Sequence, residues 1–224
     1  MLVDLKAIAH RVTDDELLQL SSDNPETKFE TTKERKLLVM SPQSRRLRSS
    51  SSTTGNAAAL RGSNSGKKNS SLIAQVWLWN DQAGAGAVFD SSTGFILSNG
   101  AIKSPDVSWI ESSRWNELTP EQQDKFAPQR ERADRRPTTT RRLPPSHPDF
   151  VIELLSPSDD LLVLQQKMQE YMDCGIKLGW LIDPKLGRVE VYRQDEDKEI
   201  LNNPQTLSGE KVLSGFTLNL KGIL

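Results

Sequence analysis

Glu153 is the residue that asks for chemistry first. It sits within DFVIELL, residues 149–155, flanked by Val151, Ile152, Leu154 and Leu155. A carboxylate in so apolar a strand is costly unless a metal, a cation or a proton compensates it. Asp106 is the second such residue. It follows Pro105 at the start of PDVSWI, a segment with strand character that could pair near Glu153. Two carboxylates on one face of neighbouring strands make a hard-oxygen site suited to Mg²⁺ or Mn²⁺. Such an ion polarises a phosphodiester and lowers the pKa of a bound water. Lys167 lies on the helix that follows the Glu153 strand and could reach back to steady developing negative charge. Tyr171, four residues on, shares its helix face. Taken singly, Asp106 reads as turn chemistry, Lys167 as a solvated lysine and Tyr171 as core. Glu153 stands on its own, and the order Asp, Glu, Lys carries the signal.

The elements that must position these residues are legible around them. DFVIELL is nearly continuous apolar sequence, as a central strand is. Ser156-Pro157-Ser158-Asp159 turns the chain into a helix carrying Leu161, Leu164, Met168, Tyr171 and Met172, which stops at Gly175. Leu178–Ile182 is a second buried strand, ended by Asp183-Pro184. Strand, helix and strand over 149–182 make a parallel crossover unit. RVEVYR, 188–193, alternates as an outer strand, and short strands follow near Ile200-Leu201 and Thr217–Leu220.

Upstream, Thr13 with Glu16 three residues later is a capping box opening a short helix. Phe29-Glu30 and Leu37–Met40 read as strands. Gly62–Lys68 reads as a turn region before an amphipathic helix over Asn69–Gln82. Short strands follow through Val88-Phe89, Phe95–Leu97 and Pro105–Ile110, and Thr119-Pro120 starts a helix. The expected fold is α/β or α+β, with a mixed sheet flanked by helices.

Composition bounds the rest. The 224 residues suit one domain with appendages, and hydrophobic residues make up 35% of them. No apolar run approaches a membrane span, and the N-terminal residues lack the pattern of a secretory signal. A lone cysteine, Cys174, excludes a disulfide framework, and two histidines leave little room for a histidine metal site. The expected compartment is the cytoplasm.

Net charge is −1, yet it is unevenly spread. Residues 44–61 hold Arg45, Arg46, Arg48 and Arg61 without an acid, and 129–146 hold six arginines against Glu131 and Asp134. The remaining body is therefore acidic, so a basic nucleic-acid surface does not follow from its composition. Both segments are rich in Ser, Thr, Arg or Pro and are expected to be disordered insertions. Binding of nucleic acid by the arginines is the alternative.

SPDVSWI, PDFVIELLSPSD, QKMQEYMDCGIKLGWLIDP and RVEVYR together resemble the Uma-two family of restriction-endonuclease-like proteins, within the PD-(D/E)xK nuclease superfamily. The resemblance runs from near Thr13 to the C-terminus and is densest over 84–126 and 148–216. It implies a restriction-endonuclease-like mixed sheet in a single domain over 1–224. It implies Asp106 and Glu153 as metal ligands, Lys167 in place of a Glu-x-Lys lysine, and Glu30 as an accessory acid. The lysine position of that motif is Leu155 here. The two Arg-rich segments sit at joins where the family passes almost directly onward. Such surface insertions cost little closure entropy.

The expected activity is Mg²⁺- or Mn²⁺-dependent hydrolysis of DNA phosphodiesters, with Tyr171 in support. The alternative is a catalytically inactive interaction or nucleic-acid-binding protein on the same fold. A carboxylate-pair glycosidase ranks last, because Lys167 has no place in it. A two-fold homodimer would suit cutting of both strands, although no sequence feature marks an interface.

Overall fold

A computed structural model describes residues 11–24, 27–40, 63–120, 123, 147–157 and 159–224. The Arg-rich segments 44–61 and 129–146 lie outside them.

The centre is a six-stranded mixed sheet of β3 (Gly86–Asp90), β6 (Val107–Glu111), β7 (Phe150–Leu154), β8 (Leu178–Asp183), β9 (Arg188–Arg193) and β10 (Glu199–Asn202). Its spatial order is β10-β9-β8-β7-β6-β3. Only β7 and β8 run parallel, joined by α4 (Leu161–Asp173), as the crossover expectation holds. The other four pairings are antiparallel. Every residue of β7 and of β8 is buried, which is what their apolar runs require.

Alternation sends side chains to two different cores. Phe150, Ile152, Leu154, Trp180 and Ile182 pack with Leu72 and Val76 of α2 (Ser63–Ala83) and with Leu213, Phe216 and Leu218 of the C-terminal segment. That segment carries the hairpin β11 (Thr206–Ser208) and β12 (Thr217–Asn219). Val151 and Leu181 face the other way, against Leu164, Met168, Tyr171 and Met172 of α4. Gly179 lets this helix come close. A Cβ there would stand 2.5 Å from Met168 Cε and 3.2 Å from both Met172 Cε and Val151 Cγ2. Asp160 caps the start of α4 by accepting from the Leu162 N–H at 2.8 Å, and Gly175, at φ 94°, turns the chain out of its end.

A third cluster lies beside the α4 face. Val12 and Leu17, around α1 (Asp14–Asp23), pack with Phe29, Leu37, Ile96 and Ile102. The last four belong to two antiparallel hairpins, β1 (Lys28–Thr31) with β2 (Leu37–Met40), and β4 (Phe95–Ile96) with β5 (Ile102–Lys103). Thr13 and Glu16 form the expected capping box. A one-turn helix, α3 (Ser112–Trp115), follows β6.

Two expectations need correction. The Gly/Ser/Asn stretch before residue 69 is not a turn, since α2 begins at Ser63. Buried Leu72 and Val76 anchor that helix, and adding turns to a formed helix costs far less than nucleating one. RVEVYR is not an outer strand: β10 covers it, and its residues 189–192 are all buried. Two short strands, β5 and β11, are elements the sequence reading did not separate. Thr119-Pro120 does start a helical turn, with the Gln123 N–H donating to the Thr119 carbonyl at 2.9 Å. No helix among the described residues is long and apolar enough to cross a membrane.

Candidate active site

The antiparallel register of β6 and β7 pairs Val107 with Ile152, Ser108 with Val151 and Trp109 with Phe150. The ladder ends at Val107 and Ile152; continued by one step, it would set Asp106, the residue before β6, opposite Glu153. Directly opposed residues share a sheet face, with Cβ atoms about 4.5–5.5 Å apart. The face is the one under α4, because Glu153 and Val151 are two residues apart. Asp106 is fixed there by its own backbone neighbour, the Leu154 N–H, which donates to Oδ2 at 3.0 Å. This bond continues the pairing where the strand ladder has ended.

The crossover delivers the cation. Lys167 projects from the buried face of α4, and its Nζ lies 2.8 Å from Glu153 Oε1 and 2.7 Å from Glu30 Oε1. It also donates to the Ser104 carbonyl at 3.4 Å. Tyr171, one turn on, donates from its hydroxyl to the same Glu153 Oε1 at 2.9 Å. No described residue donates to Glu153 Oε2. Glu30 arrives from β1 and accepts the Ser104 N–H at 3.1 Å. The side chains of Glu30, Glu153 and Lys167 are 1%, 4% and 5% exposed, so these charges interact with little solvent between them.

Electrostatics divides the two glutamates. Burial pushes Glu153 upward, and the Asp106 and Glu30 carboxylates add to that against the pull of Lys167 and Lys28. Glu30 suffers the same burial. For it Lys167, Lys28 and Lys103 prevail, and its carboxyl is held below the ordinary range. Lys167 would be lowered by burial, yet Glu153 and Glu30 keep it firmly protonated. Tyr171 is driven well up by burial and by the facing Glu153, so it stays a hydrogen-bond donor. The same burial and the same lysines thus drive the two glutamates in opposite directions, Glu153 up and Glu30 down.

Among the described residues, no group of three His, Cys, Asp or Glu side chains is arranged to hold a metal ion by itself. The donor set on the sheet is two hard carboxylates, Asp106 and Glu153. That set fits Mg²⁺, which binds through one or two carboxylates and completes its shell with water and phosphate oxygens. It does not fit a thiolate or imidazole metal.

The sequence-predicted residues therefore come together. Glu30, Glu153, Lys167 and Tyr171 are joined by hydrogen bonds and ion pairs, and Asp106 is bound to the backbone of Leu154, the residue after Glu153. Two further lysines join them and were not anticipated. Lys28 Nζ lies 4.0 Å from Asp106 Oδ1, and Lys103 Nζ lies 3.0 Å from Glu170 Oε2. Lys28 was findable, because it is two residues before Glu30 and a strand returns to the same face every second residue. Lys103 and the Ser104 backbone carry no such signal, since a separate hairpin brings them in.

A further buried acid on this sheet face, Glu190, is satisfied by Gln165 at 2.7 Å and by Tyr192 and Lys198 at 2.8 Å each. It is an internally closed network.

Among solved structures, the chain is similar to the crystal structure of a putative nuclease belonging to DUF820 from Anabaena variabilis ATCC 29413. The TM-score is 0.59 at 20% identity, over 95% of this chain and 97% of that one. At that identity the likeness is one of fold: a mixed sheet flanked by helices. No curated protein matches the chain. The family model that matches is Uma2, described as putative restriction endonuclease, and it covers residues 55–221. With well over half of its length accounted for by that model, the chain belongs to the Uma2 family.

Proposed function

We propose that this protein is a metal-dependent DNA endonuclease that hydrolyses phosphodiester bonds, with Asp106, Glu153 and Lys167 as its catalytic group. The observation that carries this reading is the Asp106 carboxylate held at the end of the β6–β7 ladder by the Leu154 N–H, next to Glu153 and close enough to act on its charge, with Lys167 2.8 Å from Glu153. Asp106 and Glu153 would hold Mg²⁺ or Mn²⁺, which when bound supplies Lewis-acid activation of a water and of the phosphodiester. The residues of this chain do the positioning. The Leu154 N–H orients the Asp106 carboxylate, and Tyr171 and Lys167 orient Glu153 through Oε1, leaving Oε2 for the site. Lys167, held protonated, places positive charge beside the reacting group, where negative charge develops. Glu30 supports Lys167 as the accessory acid.

The alternative is a catalytically silent protein on the same fold. It is favoured by one observation: the Lys167 ammonium is already engaged by two carboxylates and a carbonyl. Plasmid DNA incubated with the full chain in Mg²⁺ and in Mn²⁺, beside Asp106→Asn, separates the two readings. Cleavage by wild type alone supports the nuclease. Absence of cleavage in both metals, from protein that binds the ion, supports the silent form.

A further inference from the structure

Three lysines surround the acidic group, and they are not equivalent. Lys167 is 5% exposed and hydrogen-bonded to Glu30. Lys103 is 6% exposed, with Glu170 3.0 Å away. Lys28 is 19% exposed, and the nearest carboxylate oxygen among the described residues, Asp106 Oδ1, is 4.0 Å away. That distance is too long for a hydrogen bond, so its N–H donors are not committed to a described residue. Its charge nevertheless reaches the group, helping to lower Glu30 and opposing the rise that burial imposes on Glu153.

We infer that Lys28, rather than Lys167, is the cation of this site that contacts the nucleic-acid backbone, gripping a phosphate oxygen next to the Asp106–Glu153 pair. This rests on the nuclease reading for its substrate class. The physical reason is availability. Moving Lys167 onto a phosphate would strand buried Glu30 and Glu153 without the cation they share. Moving Lys28 gives up only a long attraction to Asp106, with no hydrogen bond between them. A lysine ammonium is a compact point charge on a flexible stem, suited to a phosphate whose exact placement varies. Its strand position, two residues before Glu30, ties that stem to the same hairpin that braces Lys167.

The test uses the full chain and a short fluorescent DNA duplex in Ca²⁺, titrated over a range of salt concentrations. Wild type, Lys28→Ala, Lys28→Gln, Lys28→Arg and Lys211→Ala are compared. Lys211 is an exposed lysine in the segment packed on the opposite sheet face. Lys28→Ala and Lys28→Gln should each weaken binding about three- to tenfold and reduce the log–log salt slope by about one. Lys28→Arg should restore most of both, and Lys211→Ala should change neither. Lys28→Gln keeps the stem, so it reads the charge even if the alanine variant melts early. Wild-type affinity and slope in both neutral variants overturns the inference, as does a wild type that binds no duplex. A wild type that binds through Lys28 but cuts nothing in Mg²⁺ or Mn²⁺ upholds the contact and overturns the nuclease reading alone.

Discussion

Lys167 Nζ stands 2.7 Å from Glu30 Oε1, joining residues 137 positions apart in the chain. The bond ties the helix of the parallel crossover to the first hairpin, and Glu153 lies on the other side of the same ammonium at 2.8 Å. A single buried cation therefore serves two buried acids, and most of the expected mutant behaviour follows from that arrangement.

Lys167→Met leaves Glu30 and Glu153 buried without their main cation. The apo protein should lose about 3–5 kcal/mol, the cost of stripping one partner from a buried pair. A divalent ion on the acids should return part of that stability by mass action. Melts with and without Mg²⁺ check this. A variant as stable as wild type without metal would show that the acids are protonated or solvated.

Glu153→Gln and Glu30→Gln should have opposite signs. The folded state raises Glu153, so its contribution is fully present below the ordinary value of 4.5 and is lost as pH rises through the folded value. Glu153→Gln removes that loss, and should be at least as stable as wild type near neutrality with no advantage in acid. The folded state lowers Glu30, so its contribution is present above 4.5 and is lost as pH falls through the folded value. Glu30→Gln should therefore be less stable near neutrality, with the deficit shrinking in acid. Urea unfolding from about pH 4 to about pH 8 decides it. A large neutral-pH loss in Glu153→Gln, with unchanged divalent affinity, would make Glu153 a structural ion-pair member.

Asp106 has a structural duty besides any role with metal. Asp106→Ala orphans the Leu154 N–H in a buried place, at about 1–3 kcal/mol. Asp106→Asn retains an oxygen acceptor and should be nearly as stable as wild type. Both should lose divalent-ion affinity and cleavage. Calorimetric Mn²⁺ titration of the asparagine variant isolates the effect, and undiminished affinity there would remove Asp106 from the ligand set.

Tyr171→Phe deletes one hydrogen bond to Glu153 and leaves the ring packed. The expected cost is about 1 kcal/mol in stability. Cleavage should fall without being abolished, since Lys167 still holds the same oxygen. Loss as complete as that of Asp106→Asn would place the hydroxyl at the reacting atoms.

The sequence alone determined the central unit, because local rules coincide there. The apolar runs of β7 and β8 demand two buried faces, and the periodic α4 between them demands a crossover. It also singled out Glu153, since a carboxylate amid four apolar neighbours is an anomaly visible without coordinates. The strand neighbours were not determined. Alternation in RVEVYR says that one face is polar, and it cannot say that β10 lies beyond or that Glu190 finds Gln165 and Lys198. The extent of α2 was likewise hidden, because its polar N-terminal turns are set by an anchor further along. Only the tertiary structure decided the charges of the site. Whether Lys167 is a solvated side chain or the clasp between Glu30 and Glu153 depends on a hairpin docking beside α4. The pKa of a buried acid is fixed by which cation that docking brings within reach.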